Sequence, residues 1–146
     1  MPGIVVGIDG SDHSRHALEW AVSEAALRHA PLTVLTVNQA VAGYGGGPVE
    51  YPGDPNRARH AEEAAQKQTD SVIESAGAES RPPSVSVQAV TGFPVEELLR
   101  ASAGADMIVV SSRGTGGFKR LRMGSVATQL THHAHCPVVV IPAGDA

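Results

Sequence analysis

Apolar positions along this chain follow two alternating rhythms. Gly3–Ile8, Leu32–Val37, Ser84–Val90, Ala105–Val110 and Cys136–Ile141 are short runs rich in Val, Ile and Leu. Runs of this length, bounded by turn residues, predict strands. The stretches between them carry apolar residues at helical spacing. After Asp9-Gly10-Ser11-Asp12, where Ser11 or Asp12 can cap a helix, Leu18, Ala21, Val22 and Ala25 recur at i, i+3, i+4 and i+7, and Pro31 marks the break. A long helix is expected from Asp54 or Asn56 to Ala76, ending at Gly77. Gly92-Phe93-Pro94 turns into a short helix, Val95–Ser102, and Gly124-Ser125 opens another that runs to His133.

The resulting order is β-α-β-α-β-α-β-α-β. Strands alternating with helices imply a parallel sheet covered on both faces. Right-handed crossovers leave few topologies. The expectation is an α/β, doubly wound sheet with a ligand site at the carboxyl ends of the strands, where the strand order reverses. One stretch breaks the rhythm. Residues 38–55 are rich in Gly and Pro around Gly45-Gly46-Gly47-Pro48, which predicts a long mobile loop.

Composition narrows the function. At 146 residues the simplest organisation is one domain over residues 1–146. Aromatics are only 3%, so Val, Ala, Leu and Ile must build the core, and base stacking on an open sheet has few side chains to use. The net charge of -4 argues against a general nucleic-acid role. A single cysteine, Cys136, excludes an intramolecular disulfide and suits a reducing compartment. The start of the chain lacks a basic, apolar leader pattern, and no apolar run approaches the roughly 20 residues that span a bilayer. A cytoplasmic protein without a membrane partner is expected.

Three places could carry chemistry. The first follows the fourth strand: Met107-Ile108-Val109-Val110-Ser111-Ser112-Arg113-Gly114, nine residues, then Gly124-Ser125. This connection holds Arg113, Lys119, Arg120 and Arg122, and no acid occurs between Met107 and Pro142. It reads either as a flexible surface loop or as a phosphate cradle at a helix start, where N–H groups and the helix dipole favour anions. It is neither a P-loop nor the dinucleotide fingerprint, since Gly114-Thr115-Gly116-Gly117 lacks both spacings. The second is Asp9, ending the first strand, either a turn carboxylate or a contact to ribose, adenine or a metal. The third is His132-His133-Ala134-His135-Cys136, whose adjacent histidines diverge on a helix. That spacing suits a helix end favouring cations better than a metal site. No nucleophile elbow or Ser, His and Asp set is visible, so no catalytic residue is assigned.

Taken together, Gly7-Ile8-Asp9-Gly10-Ser11, Ala17-Leu18, Asp106 to Val110, Arg113-Gly114, Gly124-Ser125-Val126 and His133 to Val140 resemble the universal stress protein family over essentially the whole chain. The resemblance implies a Rossmann-like, adenine nucleotide alpha-hydrolase-like sheet of five parallel strands in the order 3-2-1-4-5. ATP-binding members carry G-x2-G-x9-G-[ST] after the fourth strand. Gly114, Gly124 and Ser125 match it, while Ser111 replaces its first glycine, where a Cβ narrows backbone approach and makes a positive φ costly. Ala127 stands where some members have a hydroxyl. The implied pocket for ATP with Mg²⁺ sets Gly7, Ile8 and Asp9 against base and ribose and Val37 on adenine. Ser111, Ser112, Arg113, Gly114, Thr115, Gly116 and Gly117 would wrap ribose and phosphates, and Gly124, Ser125 and Val126 would hold the phosphates. The resemblance also implies a homodimer paired through the strand at 137–141, a protein partner not identified, and slow hydrolysis at most. The alternatives are a nucleotide-free dimerising stress scaffold with a degenerate loop, or a slow nucleotide hydrolase on the same fold.

Overall fold

In the computed structural model, residues 3–39, 41–42, 48–49, 55–113 and 123–143 are described. The elements in chain order are β1 (Ile4–Ile8), α1 (Asp12–Arg28), β2 (Leu32–Gln39), β3 (Val41–Ala42), β4 (Pro48–Val49), α2 (Pro55–Ala76), β5 (Val85–Gly92), α3 (Pro94–Ser102), β6 (Met107–Ser111), α4 (Ser125–His133) and β7 (Val138–Ile141). A short 3-10 turn, Ala78–Ser80, follows α2. The main sheet is entirely parallel, in the order β5-β2-β1-β6-β7. Counting only its own strands, that is 3-2-1-4-5, as expected.

Period-two alternation along the central strands separates two cores. Ile4, Val6 and Ile8 of β1, with Leu32, Val34, Met107 and Val109, pack under α1 and α2 through Leu18, Val22, Ala65 and Val72. Val5, Leu35, Ile108 and Val110 face the opposite way and pack under α3 and α4 through Leu98, Ala127 and Leu130. The helices therefore cover both faces of the sheet, and small aliphatic side chains fill both layers.

Local chemistry ends the elements where the residues predict. Ser11 caps α1, its Oγ accepting from the Ser14 N–H at 3.2 Å. The helix closes at His29, which takes the left-handed conformation (φ 53°) and gives its N–H to the carbonyls of Ala25 and Ala26. Pro94 opens α3 at its first turn, a position without a helical N–H partner to lose.

Several strand boundaries differ from the sequence reading: β5 runs Val85–Gly92 rather than Ser84–Val90, and β7 begins at Val138 rather than Cys136. β6 begins at Met107 rather than Ala105, where its pairing with β1 starts opposite Ile4, and the Asp106 N–H bonds the Gly3 carbonyl at 2.9 Å as the chain enters the sheet. Strand structure also enters the stretch expected as one long loop. β2 runs on to Gln39 against Gly92 of β5, and β3 and β4 form an antiparallel pair with Val41 opposite Val49 and Ala42 opposite Pro48. The pairing lies between chain segments rather than within either one, so periodicity in two residues could not reveal it. The rest of the loop expectation, residues 40, 43–47 and 50–54, lies outside the described residues.

Candidate functional site

The strand order reverses beside β1. From β1 the chain goes outward to β2 and β5, then returns to β6 and β7 on the other side. The helix after β1, α1, lies on one face of the sheet, and the helix after β6, α4, lies on the other. The two connections leave the carboxyl ends of neighbouring strands in opposite directions and open a crevice between them.

Asp9 stands at one lip of this crevice. Its Oδ1 accepts from the Ser11 N–H at 2.9 Å and from the Ser11 hydroxyl, while its own N–H donates to Ser14 Oγ at 3.3 Å. Gly10 allows the tight turn, at φ +85°. The carboxylate is exposed yet held by one oxygen, and Oδ2 has no partner among the described residues. Gly7, two residues earlier, lies against Leu98 of α3: a Cβ there would come within 2.8 Å of Leu98 Cδ2. Ile8, by contrast, is a core residue of the α1 and α2 layer. Val37, on β2, is half-buried against the opposite layer.

The other lip is the end of β6 and the start of α4. Ser111 closes β6 opposite Ile141, and its Oγ accepts from the Arg113 N–H at 3.4 Å. The strain expected from a serine in place of glycine does not arise: among the described residues His29 alone is a non-glycine with positive φ. Ser112 is buried, and its carbonyl accepts the Gly124 N–H, which draws the start of α4 against the end of β6. Arg113 is half-buried at the edge of the described structure. Gly114, Thr115, Gly116 and Gly117 of the expected loop, with Lys119, Arg120 and Arg122, lie outside the described residues.

Gly124 caps α4 with extended backbone (φ -73°, ψ 167°) and has no side chain to offer the first-turn N–H groups. No acid stands in that turn, and Ser125 is exposed there. Uncapped N–H groups at the positive end of a helix form an anion-binding position. Val126 packs back onto the α3 and α4 layer. Ala127, 1% exposed, sits in that core beside Leu98 and Leu130 rather than facing the helix start. An alanine there removes no outward-facing group.

Of the remaining candidates, His132 and His133 are exposed, with ring centroids 6.1 Å apart, and no cluster of three metal-ligating side chains occurs among the described residues. Burial pushes the half-buried Cys136 thiol above its ordinary pKa, with Asp106 adding to the rise and a backbone hydrogen bond from Ile108 opposing it. A concavity of about 360 Å³ at the amino ends of β1 and β6 is lined by Ile4, Arg28, His29, Pro31, Asp106 and Met107. Its arginine is already paired with Glu24 at 2.7 Å, and the concavity lies away from the crevice. No described helix is long and apolar enough to cross a membrane.

A five-stranded parallel sheet with a crevice at the switch point, an acidic turn and an uncapped helix start defines an α/β protein of the Rossmann-like class. More narrowly, residues 2–142 match the universal stress protein family, and the chain belongs to it. A universal stress protein of Mycolicibacterium smegmatis is 35% identical over 153 residues, covering 98% of this chain and 49% of the relative. One from Mycobacterium bovis is 38% identical over 148 residues, covering 99% and 49%. The chain spans about half the length of these curated relatives. Among solved structures, the universal stress protein UspA from Lactobacillus plantarum superposes with a TM-score of 0.72 at 25% identity, covering 96% of this chain and 97% of its own. A universal stress protein in complex with cAMP gives 0.62 at 23%, covering 98% of each chain. One from Archaeoglobus fulgidus in complex with dAMP gives 0.62 at 22%, covering 97% and 98%. The last two show the shared fold.

Proposed function

We propose that this chain works as one domain that binds ATP with Mg²⁺ at the carboxyl ends of β1 and β6, and that occupancy of this site is what its stress or regulatory partners read. The observation that carries the reading is the uncapped start of α4, drawn to the end of β6 by the Gly124–Ser112 hydrogen bond beside the turn that holds Asp9. The helix start takes phosphate oxygens through the Ser125 and Val126 N–H groups and the Ser125 hydroxyl. Asp9 Oδ2 accepts from a ribose hydroxyl, with the carboxylate orientation set beforehand by Ser11. Val37 offers an apolar surface to the base, and Gly7 and Ile8 contribute backbone. Ser111, Arg113 and residues 114–117 complete the enclosure. Mg²⁺ enters with the phosphates, whose oxygens suit a hard cation.

Relatives of the same fold whose solved structures hold cAMP or dAMP support an adenine nucleotide as the ligand class. In this reading the role is binding, with hydrolysis slow at most. A second copy pairs along β7: Val138–Ile141 are all half-buried, and among the described residues no strand lies beyond them. The cytoplasm is the expected compartment.

Calorimetric titration of nucleotide-stripped protein with ATP and Mg²⁺, with cyclic AMP and GTP in parallel, tests the reading. Asp9→Ala should weaken ATP binding about tenfold or more, the loss of one hydrogen bond to a charged group. Gly124→Asp is the sharper variant. Its backbone already suits a capping aspartate, so the fold keeps or gains a few tenths of a kcal/mol while the carboxylate occupies and repels the phosphate position. Unchanged ATP affinity in Gly124→Asp refutes the site. No nucleotide binding by the unmodified chain leaves the dimerising scaffold as the function.

A further inference from the structure

Ser112 bonds two distant segments, the end of β7 through its N–H and its hydroxyl oxygen and the start of α4 through its carbonyl. Its N–H donates to the Ile141 carbonyl at 2.8 Å, at the end of β7. Its carbonyl accepts from the Gly124 N–H, at the start of α4. Its Oγ accepts from the Ala143 N–H at 2.8 Å, 31 residues away, where the chain leaves β7. The residue is 6% exposed, so these bonds offset the cost of burying its polar groups. One residue thereby joins the end of β6, the start of α4 and the segment beyond β7.

We propose that Ser112 is a positioning residue that locks the anion-facing start of α4 to the segment leaving β7, its hydroxyl serving Ala143 rather than a phosphate. The helix start and the end of β7 then move as one unit. Occupancy of the first is felt at the outer strand that ends in Ile141, and a change at that strand is felt at the helix start by the same free energy. This consequence for ligand rests on the nucleotide reading above; the lock itself does not.

Backbone amide hydrogen exchange on the full chain tests both parts. Ala143→Pro removes the donor, leaves Ser112 intact and alters only the segment beyond the last strand. Ser112→Ala removes the acceptor. Without ligand, the Gly124 amide should exchange about two- to tenfold faster in both variants, the range one net hydrogen bond allows. The Leu32 and Asp106 amides, bonded at the opposite end of the sheet, should keep their rates. An unchanged Gly124 rate in Ala143→Pro overturns the lock, as does equal acceleration of all three amides. With saturating ATP and Mg²⁺, the unmodified chain should show slower exchange at both Gly124 and Ala143, and Ser112→Ala at Gly124 only. Slowing at Gly124 without slowing at Ala143 in the unmodified chain overturns the coupling. If ATP slows nothing there, the nucleotide reading fails, and the ligand-free comparison still decides the lock.

Discussion

A methyl group added at Gly7 should destabilise the protein, and the same methyl should stabilise it once Leu98 is shortened. Gly7 lies in β1 with its missing side chain directed at α3. A Cβ there would stand 2.8 Å from Leu98 Cδ2, 3.4 Å from Leu98 Cδ1 and 3.5 Å from Val110 Cγ1. Leu98 is 5% exposed among Val5, Leu35, Ile108 and Leu130, which leaves its methyl groups little room to swing away. Overpacking of this kind costs about 1–3 kcal/mol. Replacing a strand glycine returns about 0.5–1 kcal/mol of backbone entropy. Gly7→Ala should therefore lose about 1 kcal/mol net. Leu98→Ala alone should lose about 2–5 kcal/mol through the cavity it leaves. In the Leu98→Ala background both clashing carbons are gone and the nearest remaining atom, Val110 Cγ1, is at ordinary contact distance. The added methyl then fills part of the cavity, and Gly7→Ala should gain about 0.5–1 kcal/mol. Urea unfolding followed by the fluorescence of Trp20, the single tryptophan, measures all four corners of the cycle. Costs that add within about 0.5 kcal/mol, with no change of sign, would refute the contact between β1 and α3 as described.

Two other perturbations probe the site lip and the lone thiol. Ser11→Ala removes both the α1 cap and the hydroxyl that holds Asp9 Oδ1, so it should cost about 1 kcal/mol in urea unfolding and also weaken ATP binding in calorimetry. A stability loss with unchanged affinity would separate Asp9 from the ligand. Cys136 has its folded pKa raised, first by burial, from an ordinary value of 9.0. The folded state therefore binds that proton more tightly than the unfolded state, and the associated stability is full below about pH 9 and lost as pH rises through the higher folded value. Urea midpoints measured upward from pH 8 should fall more steeply for the unmodified chain than for Cys136→Ser, and equal slopes would show that burial does not hold the thiol protonated.

Much of this architecture was readable from local pattern. The aliphatic runs placed all five strands of the main sheet within a few residues, the i, i+3, i+4, i+7 spacing between Ser11 and Pro31 placed α1, and Gly77, Pro94 and Gly124-Ser125 marked ends of the other three helices. These signals are local: a strand shows its period within its own residues, and a cap or breaker acts within one turn. The same locality exposed the turn at Asp9 and the glycine that leaves α4 without a side-chain cap.

Contacts between distant segments decided the rest. Ser111 and Ser112 are adjacent and chemically identical, yet one closes a strand beside the crevice while the other is buried and spends its hydroxyl on Ala143. Ala127 looks like a lost hydroxyl in sequence and is a core residue in space, because α4 turns that position onto Leu98 and Leu130. Ile8 and Val37 follow the same rule: once the sheet is paired, strand alternation assigns each to one layer or the other. The β3–β4 pair had no signal at all, since two-residue strands carry no period and their hydrogen bonds are made across the intervening chain. The linear order of residues specifies which segments can form strands and helices. Which hydroxyl is consumed and which face is buried depend on packing partners tens of residues away, and those are set only when the layers close.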